Sequence, residues 1–329
     1  AAAEARYKEI EDFKEAEKEA KVAAAEKKVD EADTSEDATE SEESEEKPKA
    51  PEAYTAVEST VAVEVNRAIP TGVVVYTGAT VIPMAGEDQM IENATVVVVD
   101  NRITGVHTAD EEIEIPLGAE TIDLQGKFLL PGFVDTHAHL RPSWGLHKNH
   151  VWAYAANLAY GVTTTRDPQT GTTDVLTYAD MVEAGMLAGP RIYSTGPGVG
   201  YWGYNIESLD HAREVLKQYS KYYNTKTIKM YLTGNRKHRQ WIIQAAKEQE
   251  LMPTTEGGLD FKLNVTQILD GYPGHEHSFP IYPLYKDFVD FVQYSGTAYT
   301  PTLLVAYGGP WAENYYYATE PVNGDSKLN

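Results

Sequence analysis

Strand and helix signals that alternate from residue 131 to residue 304 predict an α/β protein on a parallel sheet, open or closed into a (β/α)8 TIM-type barrel. Short apolar and β-branched runs read as strands at 133–136, 162–166, 191–194, 227–232, 253–256, 274–277 and 298–304. Between them, helical patterns occupy 151–160, 173–188, 209–223, 237–250, 263–269 and 284–294, with short connections. Ionisable residues gather at the predicted strand ends, where such folds carry their chemistry. Seven strands are visible, so a closed eight-stranded barrel would be truncated before its last strand.

Each region follows from its composition. The first fifty residues hold 18 acidic and nine basic residues, and Val29 to Glu46 holds ten acids and no base. The Ala/Glu/Lys run up to Lys28 suits a solvated helix. The Asp/Glu/Ser/Thr tract after it has too little apolar surface to offset the entropy of ordering, so residues 1–54 read as an acidic low-complexity linker. From about Thr55 short β-branched runs appear, at 60–65, 73–76, 79–83, 95–99 and 102–106, separated by turn residues such as Gly86 and Asp100-Asn101. Residues 55–130 are expected to form a small antiparallel sheet of hairpins, and residues 131–329 the βα region. The chain starts without Met, and both ends are read as possible cuts.

Composition excludes several functions. A net charge of −22, from 50 acidic against 28 basic residues, argues against nucleic acid and anionic membrane surfaces as partners. No apolar run approaches the roughly 20 residues that span a bilayer. Without a cysteine there is no disulfide, thiolate zinc site or cysteine nucleophile.

The most informative residues are Pro131-Gly-Phe-Val-Asp-Thr-His-Ala-His139. Side chains alternate across a strand, so Asp135, His137 and His139 project to one face and bring two imidazoles to one point. Imidazole suits zinc, nickel, iron or copper, and a catalytic site keeps an open position beside its protein ligands. Taken alone, the pair reads equally well as two hydrogen-bonded surface histidines. Other strand ends carry Arg166-Asp167, Lys229, Glu256 and His275-Glu276-His277. Lys229 lies in an Ile-Lys-Met setting, where a lysine must be paired, neutral, modified or snorkelling. Tyr231 faces the same way and could hydrogen-bond a substrate carbonyl. His147 and His150 fall in the loop after the first strand and read as solvent contacts.

Residues 131–139 resemble the first-strand signature of the metal-dependent amidohydrolase superfamily, in its imidazolonepropionase-like and prolidase-like branch. Thr121–Lys127 resembles the last strand of that branch's small β-sandwich, Gly161–Asp167 its second barrel strand, and Glu276-His277 its sixth-strand Glu-His. The resemblance covers roughly residues 70–320. It implies a (β/α)8 barrel with a composite sandwich domain and a centre of two divalent metals, Zn2+ being expected. His137 and His139 would bind one metal, carboxylated Lys229 would bridge the two, and His277 would bind the second. Asp135 could orient an imidazole. A fifth-strand His is expected, but Met252–Gly258 has none; Glu256 stands nearest as a substitute ligand, the alternatives being a one-metal site or a Glu that contacts substrate. The eighth-strand Asp, the general base, would lie beyond Asn329.

The implied reaction is hydrolysis of an amide C–N bond, of a peptide-like or other small substrate, by metal-bound hydroxide. The same centre could act on an ester, lactone or phosphoester, and a decayed barrel serving as a partner module is the non-enzymatic alternative. Related proteins include larger ones with an upstream β-propeller, and export of such relatives points to a periplasmic or secreted location. Oligomerisation and the substrate itself are not legible.

Overall fold

A computed structural model describes residues 2–31, 59–86, 90–140, 142, 145–200, 205–281 and 283–302. The chain divides into two compact units, Ala1–Glu64 and Val65–Asn329. In the first, α1 (Ala2–Glu31) is polar on all sides, with surface pairs such as Arg6–Glu9 and Glu17–Lys21 at 2.7 Å. It is the expected solvated helix. The acidic tract after it lies outside the described residues.

No strand forms at 60–65, where one was expected. Val61, Val63 and Val65 are exposed there, with no strand partner among the described residues. The sheet that follows contains β1 (Val73–Val81), β2 (Ile91–Val99), β3 (Arg102–His107), β4 (Glu120–Asp123) and β5 (Phe128–Leu129). The runs at 73–76 and 79–83 are one strand, irregular at Gly78, whose φ of +77° only glycine adopts easily. β1–β2 and β2–β3 are antiparallel hairpin partners. The expectation of a wholly antiparallel sheet fails at β4 and β5, which run parallel to β1 because the chain crosses over between residues 108 and 119 before returning to the β1 edge. Val75, Ala79, Val81, Ala94 and Val96 fill this sheet's core face.

Beyond Pro131 strands and helices alternate as expected. β6 (Phe133–Asp135), β7 (Val162–Asp167) and β8 (Arg191–Ser194) form one parallel sheet; β9 (Thr227–Met230), β10 (Met252–Thr255), β11 (Gly274–His275) and β12 (Ala298–Tyr299) form another. A parallel bridge between Val199 and Met230 links the segment after β8 to β9. The last strand was expected to reach residue 304; it ends at Tyr299, and residues 303–304 lie outside the described set.

The intervening helices are α2 (Trp152–Ala159), α3 (Asp174–Glu183), α4 (Leu209–Lys217), α5 (Arg236–Glu248), α6 (Phe261–Leu269) and α7 (Lys286–Ser295). Their starts follow local chemistry: Ser208, Asn235 and Asp260 accept hydrogen bonds from the first-turn backbone of α4, α5 and α6. Two expected helices are shorter than their patterns. α3 stops at Glu183 because Gly185 takes φ +71°, and α4 passes into a π-turn at Gln218–Tyr222. Helix faces cover the sheets in two clusters. Ala138, Tyr154, Val175, Tyr178 and Ile192 pack α2 and α3 on the first; Val215, Leu216, Ile228, Met230, Ile242 and Ala245 pack α4 and α5 on the second.

Candidate metal centre

The parallel ladders continue past the strand ends and carry the candidate residues with them. Ala138 N donates to Arg166 O at 3.0 Å, Glu256 N to Met230 O at 3.0 Å, and Glu276 N to Thr255 O at 3.0 Å. Backbone pairing therefore fixes the residues on either side of Ala138, together with Glu256 and Glu276, at the carboxyl ends of β6, β10 and β11. Lys229 sits within β9 and is 1% exposed.

A cavity of about 680 Å³ opens over these ends. Its lining includes His139, Lys229, Tyr231, Glu256 and His277, with Leu140 and Val175 as apolar wall. His137 lies beside it, its side chain 7% exposed; its ring centroid is 5.0 Å from that of His139 and 4.9 Å from that of His277. All six residues singled out from the sequence as ligands or catalytic groups are thus brought together.

Their contacts differ from the expectation in detail. The Lys229 ammonium is ion-paired with Glu256, whose other oxygen lies 2.8 Å from His277 Nε2. A lysine buried in an apolar strand is thereby neutralised by a carboxylate. Tyr231 offers its ring 5.8 Å from Lys229 Nζ. Asp135 does not orient an imidazole: its carboxylate accepts from the His137 backbone N–H at 2.9 Å, closing a tight turn. The His137 ring instead meets Glu276, Nδ1 to Oε2 3.1 Å, and Glu276 is paired with Arg166 at 2.8 Å. His139 Nδ1 lies 3.3 Å from Gln169 O and 3.7 Å from Asp167. His147 bonds Asp174 and stands against Tyr178, away from the cavity lining.

Asp167, Gln169 and Glu276 were not assigned roles from the sequence. Asp167 and Glu276 could have been, since Asp167 directly follows a predicted strand and Glu276 stands between two histidines near the end of another; Gln169 lies in a loop with no periodic signal.

Burial and charge pull the ionisable groups apart. Burial lowers the His137 pKa, against the opposing hydrogen bond to Glu276. Glu276 is held at about 2: burial opposes this, but the His137 contact and Arg166 prevail. Glu256 also falls below the carboxylate range despite burial, through His277 and Lys229. Burial raises Asp167, only partly offset by His139. Burial pushes His275, packed on Phe279, down to about 4.

The donor set fits a divalent metal. His137 Nε2 and His277 Nδ1 are buried and have no hydrogen-bond partner among the described residues, which is costly for a polar atom unless something else is bound there. Among the described residues, no three His, Asp or Glu already stand grouped as ligands. The carboxylate between Lys229 and His277 is instead spent on those two neighbours, so ligation through Glu256 requires it to exchange partners.

No family model matches the chain. A 5-methylthioadenosine/S-adenosylhomocysteine deaminase of Bacillus thuringiensis (strain Al Hakam) is 34% identical over 65 residues, which is 20% of this chain and 15% of the deaminase. Among solved structures, phenylurea hydrolase B superimposes with a TM-score of 0.58 at 18% identity, covering 69% of this chain and 64% of that one. A Xaa-Pro dipeptidase with methionine in its active site gives 0.55 at 18% identity, covering 70% and 67%. Molinate hydrolase gives 0.57 at 17% identity, covering 69% and 62%. The chain therefore spans about two thirds or less of these proteins. The chain shares its fold with these hydrolases over about 70% of its length.

Proposed function

We propose that this chain carries the metal centre of a hydrolase that cleaves an amide-type C–N bond, its two parallel sheets being the wall of one (β/α)8 barrel and its mixed sheet a composite domain. The observation that carries the reading is the single cavity that His139, Lys229, Tyr231, Glu256 and His277 share, with the unbonded Nε2 of His137 beside it. His137 and His139 would hold one divalent ion, with Zn2+ the expected metal; His277 and Glu256 would hold a second. A bound ion would supply Lewis acidity and lower the pKa of water from 15.7 towards 7.

The protein groups do the rest. Lys229, once carboxylated, would exchange its ammonium for a bidentate oxygen ligand. That change places two anions, the carbamate and Glu256, where an ion pair stands now, so it requires the metals to neutralise them. Tyr231 would hydrogen-bond the substrate carbonyl, and Leu140 and Val175 would exclude water from the apolar side of the substrate. A peptide-like amide suits this pocket. The deaminase similarity favours a second reading, hydrolysis of an exocyclic C–N bond on a ring.

Metal titration of the wild-type chain, followed by assays on dipeptides, N-acyl amino acids, an aryl urea and a deaminase substrate, tests the proposal. Bound zinc with turnover of one of the amides supports it; zinc binding with turnover of only the deaminase substrate supports the second reading. Turnover that survives intact in both His137→Ala and Lys229→Ala would overturn the assignment.

A further inference from the structure

One ion pair, Arg166 with buried Glu276, has no part in the chemistry just described. Glu276 is 1% exposed. Its Oε1 lies 2.8 Å from Arg166 Nη1 and its Oε2 3.1 Å from His137 Nδ1. Arg166 in turn donates to Thr136 O at 3.3 Å and to Thr254 Oγ1 at 3.2 Å. The network thus ties together the chain just past β6, β7 itself, β10 and the end of β11. An Arg–Glu strut alone would occupy one edge of the carboxylate. Here the second oxygen is aimed at an imidazole whose other nitrogen is buried and unbonded.

We propose that Glu276, braced by Arg166, is a positioning residue that holds His137 as the Nδ1–H tautomer and leaves Nε2 free to bind a metal ion. The assignment rests on reading His137 as a ligand. An ionised carboxylate only accepts, so the shared hydrogen belongs to the imidazole Nδ1. Neutral imidazole has one proton, so the lone pair then sits on Nε2. Outer partners of this kind fix ring orientation and raise ligand basicity, and their loss typically weakens metal binding 10–100-fold. Asp135 is not the orienting group, since its Oδ1 accepts from the His137 backbone N–H and the His137 ring meets Glu276.

Two measurements on the whole chain test this. At pH 8 and without metal, side-chain 15N NMR of the wild type should show His137 with Nδ1 protonated and Nε2 bare, the signals being assigned by their loss in His137→Gln. Zinc affinity is then read by competition with a chelator. Glu276→Leu should lose the Nδ1–H preference and bind zinc about 10–100-fold more weakly. Glu276→Gln, which keeps an acceptor oxygen, should retain the tautomer and recover most of the affinity. Should the Leu variant not fold, the double variant Arg166→Met/Glu276→Leu leaves no unpaired cation and takes the same readings. An Nε2–H tautomer in the wild type, or unchanged tautomer and zinc affinity in the Leu variant, would overturn the inference. No zinc binding by a wild type that shows the expected tautomer would overturn the metal-site reading instead, since the metal-free spectrum speaks for Glu276 alone.

Discussion

Gly257 follows the carboxylate that pairs Lys229, and its backbone takes φ +73°. A Cβ there would come within 2.5 Å of the His275 ring. Gly271 has a comparable φ of +92° but open space around it. Both Gly→Ala changes should cost about 1–2 kcal/mol for the left-handed backbone, and Gly257→Ala measurably more because the buried ring must move. Denaturant midpoints of the two variants check this; equal losses would show that the His275 contact is easily relieved. His275 itself gives a pH dependence. Its folded value near 4 lies below the ordinary 6.5, so between those values the unfolded chain binds a proton that the folded chain refuses. Stability of the metal-free chain should therefore hold above pH 6.5 and fall as pH drops towards 4, by on the order of 3 kcal/mol at most. His137, also lowered by burial, adds in the same direction. His275→Leu should flatten the urea midpoint across that window; an unchanged slope would remove His275 as the cause.

At the level of elements, the reading from sequence succeeded wherever a strand or helix was set by its own residues. The βα alternation after Pro131 was legible because apolar runs of strand length are separated by amphipathic helical patterns with capping residues. Asn235 illustrates it, accepting from the backbone of Lys237 and His238 while the His238 ring accepts from the Asn235 N–H. Asn235→Ala should cost about 1 kcal/mol, read as a lowered thermal midpoint without loss of the cavity residues' positions. What failed was set by partners distant in sequence. Val61, Val63 and Val65 alternate like a strand but find no strand partner among the described residues, and the parallel docking of β4 and β5 on β1 depends on a crossover that no local pattern announces.

The whole molecule brings six residues spread over 140 positions to one place. The sequence named them, because the resemblance fixes which strand ends matter, and the parallel order of those strands makes the ends converge. It did not reveal their pairing. Lys229 with Glu256 and His277 with Glu256 are contacts between neighbouring strands of one sheet, and Glu276 with His137 joins the two sheets, so all three depend on strand pairing that no local pattern announces. A metal bound at the proposed centre would therefore compete with the protein for the same donors. The direct measurement is the zinc content of the chain after equilibration with Zn2+ and bicarbonate, for wild type and for His137→Ala/His277→Ala. The account predicts at least one tightly held zinc per wild-type chain and none in the double variant. A wild-type chain that holds no zinc, or a double variant that holds as much, would contradict it.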